Sequence, residues 1–237
     1  MSAYFEELDY QLTPLGPLSL RRRRQFKLNI DVVEVILGEA HLMSDLFTAS
    51  EQALAEQAIA ALSEKSPDIL VAGLGLGYTA ASALDHPQVA SLTVIEYLPP
   101  VISWHQQGLL PMGRRLIDDP RCQLVEADFF LQAAGAGGLN PHAPEQRYDA
   151  ILVDIDHSPD FFLDQSHADF YSPQGLAKLV ANLKPAGVFA LWSNDRPDPR
   201  FVDRLEQVFK QAWAADVVFE NPILEEDCAQ TIYLAAT

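Results

Sequence analysis

The rhythm of apolar and polar positions changes partway along this chain. Up to about residue 47, short β-type runs such as "VVEVIL" (32–37) are broken by Pro14, Gly16, Pro17 and Gly38, a mixture that predicts hairpins rather than helices. Residues 48–65, "TASEQALAEQAIAALSEK", bring Leu54, Ala58 and Leu62 onto one helical face. Thr48 or Ser50 stands ready to cap that helix, and Glu51 follows Thr48 at the capping-box offset. From Asp68 onward strand-like and helix-like runs alternate. "ILVAG", "SLTVIE" (91–96), "CQLVEAD" (122–128), "YDAILVDID" (148–156) and "GVFALWS" (187–193) read as strands, and "YTAASALDH", "PPVISWHQQGLL" and "PQGLAKLVANLKP" as helices. "PRFVDRLEQVFKQAW" reads as a further helix, followed by "DVVFENP" and "TIYLAA" as two strands. Their connection is too short for a crossover helix, which makes them antiparallel neighbours. The expected architecture is α/β: a doubly wound, seven-stranded, mainly parallel sheet over 48–237, with a small β-hairpin region over 1–47. "AAGAGGLNPHAPEQR" (133–147) lacks apolar periodicity and reads as a flexible surface loop.

Composition narrows the classes. With 237 residues, 49% apolar and 21% charged, the chain has ample material for a core, and no run approaches the ~18 apolar residues that cross a bilayer. "RRRRQFKLN" (21–29) has the look of a twin-arginine export signal, but Asp31, Glu34 and Glu39 follow where such a signal is apolar; the run is read as a solvated strand or turn. Cys122 and Cys228 have no framework spacing and fit a reducing cytoplasm. A net charge of −17 opposes nucleic-acid phosphates and tolerates cationic partners.

The candidate chemistry lies at the carboxyl ends of the predicted strands, where a doubly wound sheet binds its ligands. Gly73, Gly75 and Gly77 follow the first of these strands, Glu96 ends the second, Asp128 the third and Asp154 the fourth. Glycines admit close backbone approach, and a carboxylate about 20 residues on matches the two hydroxyls of a ribose. Tyr97 is placed to lie on an adenine face and Asp128 to accept from its amine. Taken singly, a glycine turn, a strand-end Glu96 and an Asp128 helix cap are ordinary structural features; together on successive strand ends they point to an adenosine-type site. A P-loop is excluded because no Lys-Ser/Thr follows the glycines. Gly75, Gly77 and Ala80 satisfy an NAD fingerprint, but the final antiparallel pair does not belong to that design.

On the glycine loop, the strand-end acid and the final β-pair, the chain resembles the class I S-adenosylmethionine-dependent methyltransferase fold. More narrowly, "VVEVILGEAHLMSDLFTASEQALAEQAI", "YDAILVDIDHSP" and "DFYSPQGLAKLVANLKPAGVFALW" resemble the spermidine synthase (polyamine aminopropyltransferase) family over nearly the whole length. The resemblance implies a donor, S-adenosylmethionine or its decarboxylated form, held by Gly73, Gly75, Gly77, Glu96, Tyr97, Asp128 and Asp154. It implies Asp154 as general base on an attacking amine, a polyamine-like cationic acceptor, Tyr171 with Phe170 in the acceptor pocket, and a homodimer through the N-terminal strands. Two departures stand out. The family's loop reads Asp-x-x-Asp, and here His157 stands three after Asp154, with Asp156 one residue early. The family's first helix carries Asp-Glu and Tyr-x-Glu, where this chain has Ser50-Glu51 and Leu54-Ala55-Glu56.

The candidate catalytic set is therefore Asp154, Asp156 and His157, with Glu51 and Tyr171 on the acceptor. Crowded carboxylates raise one another's pKa, which suits a base. The plain alternative makes Asp154 a turn cap and His157 a surface residue. Three rival readings stay open: methyl transfer to a small molecule, a cation-dependent variant using "DIDH" and Ser193-Asn194-Asp195, and a non-catalytic adenosine-binding protein. The order and spacing of those oxygen ligands fit Mg²⁺ poorly, and no metal is expected. Trp104 and Trp192 are read as packing residues, and His105 and His167 receive no role.

Overall fold

The computed structural model describes residues 4–237, so the first three residues of the expected hairpin region lie outside the described residues. Four strands form an antiparallel N-terminal sheet in sequence order: β1 (Phe5–Thr13), β2 (Gly16–Gln25), β3 (Ile30–Leu37) and β4 (Ala40–Ser44). The arginine run lies in β2, facing acids on both neighbours. Arg22 pairs with Glu6 on β1, and Arg23 and Arg24 pair with Glu34 and Asp31 on β3. The run is thus a charge-matched strand.

The remaining elements are α1 (Ala49–Ala60), β5 (Asp68–Ala72), α2 (Tyr78–Asp85), β6 (Ser91–Glu96), α3 (Pro99–Gln107), α4 (Gly113–Ile117), β7 (Cys122–Glu126), α5 (Phe129–Ala134) and β8 (Tyr148–Val153). A 3-10 helix (Gln165–Tyr171) and α6 (Pro173–Val180) lead to β9 (Leu183–Ser193), α7 (Pro199–Glu206), β10 (Gln211–Asn221) and β11 (Glu226–Ala236). The seven-stranded sheet has the order β10-β11-β9-β8-β5-β6-β7. β5 through β9 run parallel, and β11 inserts antiparallel between β9 and β10. The strand order reverses between β5 and β8, which places the binding crevice at their carboxyl ends.

Alternate residues of the central strands feed two cores, one on each face of the sheet. Ile69, Val71, Val94 and Leu152 face Leu54, Leu84 and Trp104, together with Leu18, Leu20, Val33 and Val35 of the N-terminal sheet. Leu70, Ala72, Ile151 and Val153 face Phe129, Leu176, Leu179 and Phe201. The N-terminal sheet is therefore fused to the α1–α3 core.

Three local expectations are corrected. The helix beginning at Pro199 stops at Glu206, and Gln211–Trp213 belong to β10, opposite Leu234–Ala236 of β11. A backbone partner on β11 outweighs helical periodicity there: the Lys210 N–H already donates to the Ala236 carbonyl at 3.0 Å. Residues 133–147 are held against the core by Leu139 and Asn140, which are both buried. Thr48 precedes α1 without a side-chain cap to the backbone; its hydroxyl instead accepts from Gln52 Nε2 at 2.9 Å.

Candidate functional site

The glycine loop turns the chain from β5 into α2. Gly73 has φ +94°, and a side chain there would collide with the Asp154 carbonyl, so β5 and β8 approach this closely only with glycine. Gly77, at φ +91°, starts α2, and a Cβ on it would press on His105 and Leu116. His105, fully buried on α3, lies with Nε2 2.9 Å from the Gly75 carbonyl. A carbonyl only accepts, so Nε2 carries the hydrogen; burial lowers the ring's pKa and favours this neutral form. Sequence reasoning assigned His105 nothing. Its position on the helix after β6, 30 residues from Gly75, left no local signal.

Around this loop the cleft has two compartments. The larger, about 170 Å³, brings together Gly73, Gly75, Glu96, Tyr97, Asp128 and Asp154. Glu96 Oε2 accepts from the Leu74 N–H at 3.0 Å and Oε1 from the Leu98 N–H at 2.8 Å. Burial raises the Glu96 pKa, and those backbone donors oppose the rise. Asp128 does two things at once: Oδ1 caps α5 through the Leu131 N–H at 3.0 Å, and the side chain lines the compartment. Tyr97 is half-exposed at the rim. Leu42 and Met43 of β4 roof the compartment beside Leu15 and Val35, a contribution from the N-terminal sheet that strand periodicity does not reveal.

The smaller compartment, about 80 Å³, shares Gly75 and Asp154 with the first and adds Glu51, Gly77, Tyr78, His157 and Trp192. Asp154 Oδ2 accepts from the Thr79 hydroxyl at 2.6 Å. Burial pushes the Asp154 carboxyl up to about 6, against the lowering effect of Thr79. Burial, and then the charge of Asp154, push Glu51 up to about 7, while the Ser50 hydroxyl holds it back. The two carboxyls titrate as a pair. Ser50 Oγ lies 2.7 Å from Glu51 Oε2 and 2.6 Å from Gln230 Oε1, and accepts from Trp192 Nε1 at 2.9 Å. Ser50 has one hydrogen to give, so its hydroxyl serves Glu51 or Gln230 at any moment. Trp192 thus lines the cleft as well as packing, whereas Trp104 is buried and donates to Asp9 at 2.6 Å.

Asp156 and Tyr171 are not brought to the cleft, contrary to their expected roles. Asp156 is 2% exposed and accepts from the Tyr171 hydroxyl at 2.8 Å and the Leu163 N–H at 2.7 Å, with His167 Nδ1 2.9 Å away. Tyr171 is itself buried beside Phe170 in the α5–α7 core. This cluster fastens the loop after β8, and His167, stacked 3.7 Å from the Phe130 ring, lines the larger compartment. Among the described residues, no three His, Cys, Asp or Glu side chains group as a metal site.

No family model matches the chain. It is 26% identical over 151 residues to polyamine aminopropyltransferase 2 of Pseudomonas aeruginosa, a match covering 61% of this chain and 40% of that protein. It is 27% identical over 121 residues to the polyamine aminopropyltransferase of Pyrobaculum islandicum, covering 51% and 39% respectively. The chain thus spans about 40% of the length of these curated relatives. The spermidine synthase of Thermotoga maritima superposes with a TM-score of 0.72 over 97% of this chain and 72% of its own, at 16% identity. Its fold is that of a spermidine synthase. A spermidine synthase in complex with the transition-state analogue AdoDATO gives 0.71 over 97% and 73%, also at 16% identity. At that identity the structural likeness speaks for the fold, and the chain shares with both structures its α/β architecture.

Proposed function

We propose that this chain transfers an aminopropyl group from decarboxylated S-adenosylmethionine to an amine. The observation that carries this reading is the charge of the cleft. Glu51, Glu96, Asp128, Asp154 and Asp164 line it, and among the described residues no Lys or Arg does. Both donors end in an ammonium that gains from that field, and the one that keeps a carboxylate beside it is opposed by it. Methyl transfer from S-adenosylmethionine is disfavoured on the same ground. The likeness to polyamine aminopropyltransferases supports the reading from sequence.

The residues present fit such a donor. Gly73, Gly75 and Gly77 open the backbone to it, Glu96 receives the ribose hydroxyls, Tyr97 covers the adenine and Asp128 accepts from its amine. When bound, the donor supplies an electrophilic carbon beside a sulfonium and its own leaving group. The chain's task is to position the amine and take its proton. Asp154, raised to about 6, is a stronger base than an ordinary carboxylate yet mostly ionised at neutral pH. Glu51 meets the acceptor's charge, and His157 lines the same compartment. Asp156 and Tyr171 serve by holding the loop that carries His157 and His167.

The outward side chains of Phe5, Tyr10, Leu12 and Phe26 on and beside the N-terminal strands support a homodimer through that sheet. Two free thiols, Cys122 and Cys228, support a reducing, cytoplasmic setting. The reaction is tested by incubating the chain with decarboxylated S-adenosylmethionine and an amine and following release of the thioether nucleoside. Turnover is expected, with a loss of about 10²–10⁴-fold in Asp154→Asn. Methylation of an acceptor by S-adenosylmethionine instead would contradict the proposal.

A further inference from the structure

Of the three loop glycines, Gly75 alone lines both compartments. Its φ is +47°, and Met43 of the roof lies so close that a Cβ on it would meet Sδ at 2.8 Å. Much of the loop is tied by its own backbone: the Gly73 N–H donates to the Ile95 carbonyl, the Leu74 N–H to Glu96 and the Gly77 N–H to the Leu74 carbonyl. The peptide joining Gly75 to Leu76 has one hydrogen bond among the described residues, received by its carbonyl from His105 Nε2 at 2.9 Å. That peptide is trans, so a carbonyl held toward His105 turns the Leu76 N–H to the opposite side. A glycine beside it lets the peptide plane rotate at little steric cost, and the imidazole selects one orientation. His105 itself lines neither compartment. It is fully buried, its Nδ1 has no partner among the described residues, and a Cβ on Gly113 would meet its backbone carbonyl at 2.7 Å. The bond to Gly75 is thus the one hydrogen bond that offsets burial of the ring.

We propose that His105 is a positioning residue for the donor: its Nε2–H fixes the Gly75–Leu76 peptide in the orientation that the nucleoside meets, so donor affinity depends on a side chain the donor does not touch. This rests on the reading of the cleft as the donor site for aminopropyl transfer and deepens it. Packing alone would be served as well by an apolar side chain of similar size, which would leave the Gly75 carbonyl without its partner. Holding the carbonyl requires an N–H at the reach of Nε2, and a glutamine amide supplies one.

The test measures binding of decarboxylated S-adenosylmethionine and of 5′-methylthioadenosine by calorimetry to the unaltered chain, His105→Leu and His105→Gln, with folding followed by circular dichroism. Affinity for both nucleosides should fall by about tenfold or more in His105→Leu and be largely restored in His105→Gln. In turnover the KM for the donor should rise in His105→Leu while the KM for the amine stays as it was, a split that general loosening of the fold would not give. Should His105→Leu fail to fold, His105→Asn takes its place, since its amide is one methylene too short to reach the Gly75 carbonyl. Equal affinities in all variants, or an equal loss in His105→Gln, would overturn the inference. Failure of the unaltered chain to bind either nucleoside would overturn it together with the aminopropyl reading. Affinity that follows His105 in a chain that transfers no aminopropyl group would uphold the positioning role and overturn that reading alone.

Discussion

Asp154 and Glu51 differ from surface carboxylates because each has lost water without gaining a cation. Thr79 donates to Asp154 and Ser50 to Glu51, and both bonds favour the ionised form. Transfer should therefore rise with pH through about 6 and continue rising toward 7 as the pair ionises. Removing the Thr79 hydroxyl in Thr79→Val takes away a contact that lowers the Asp154 pKa, so the acid limb of the kcat/KM profile should move to higher pH. An unmoved limb would take Asp154 out of the proton transfer. Glu96→Gln turns an amide N–H₂ toward the Leu74 or Leu98 N–H, and donor affinity should fall about tenfold or more, measured by calorimetry. At this scale the sequence was informative where a rule ties residue to topology. Gly73, Glu96, Asp128 and Asp154 sit on strand ends and were legible from alternation alone. Thr79, Tyr78, His105 and Met43 were not, because what matters about them is a partner brought near only by folding.

Among the elements, the loop after β8 and the 3-10 helix behind it show how a motif can mislead. "DIDH" places two aspartates two residues apart, a spacing that a continuing strand would turn to one face, but β8 ends at Val153 and the chain leaves the strand before reaching them. Asp154 faces the cleft, and Asp156 lies buried with Tyr171 and His167 on the loop's inner side. Tyr171→Phe should destabilise the fold by about 1–3 kcal/mol in denaturant titration, since a buried carboxylate loses a donor. It should also raise the KM for the donor, because His167 and Ser166 line the larger compartment. An unchanged midpoint would show that the cluster does not hold the loop. The strand–helix alternation was readable because buried parallel strands and amphipathic helices differ in period. The end of α7 was not, since Gln211–Trp213 continue a helical pattern that the β11 ladder overrides.

For the whole molecule, the cleft is a charge arrangement roofed by one sheet and floored by another. Its acidity costs stability. The folded chain holds Glu51's proton up to about 7, whereas the unfolded chain releases it near the ordinary 4.5 of a glutamate. This group's contribution is therefore full below about 4.5 and is lost as pH rises through 7. Glu51→Gln should be indifferent at pH 4 and more stable than the unaltered chain at pH 8, by about 1–2 kcal/mol after solvent screening across the open cleft. A stability difference independent of pH would deny the shift. The net charge of −17 permitted a cationic ligand but could not locate it. Nor could the β-type runs before residue 47 disclose that Leu42 and Met43 would close over the glycine loop, since alternation fixes a strand's faces and leaves its docking open.

On the proposed function, this acidic cleft selects a donor without a carboxylate. Calorimetric titration of the chain with S-adenosylmethionine and with its decarboxylated form, at pH 7.5 and low salt, tests it most directly. Tighter binding of the decarboxylated donor by tenfold or more is expected, with the preference reduced in Asp154→Asn and weakened by salt. Tighter binding of S-adenosylmethionine itself would contradict it and move the chain to the methyl-transfer reading.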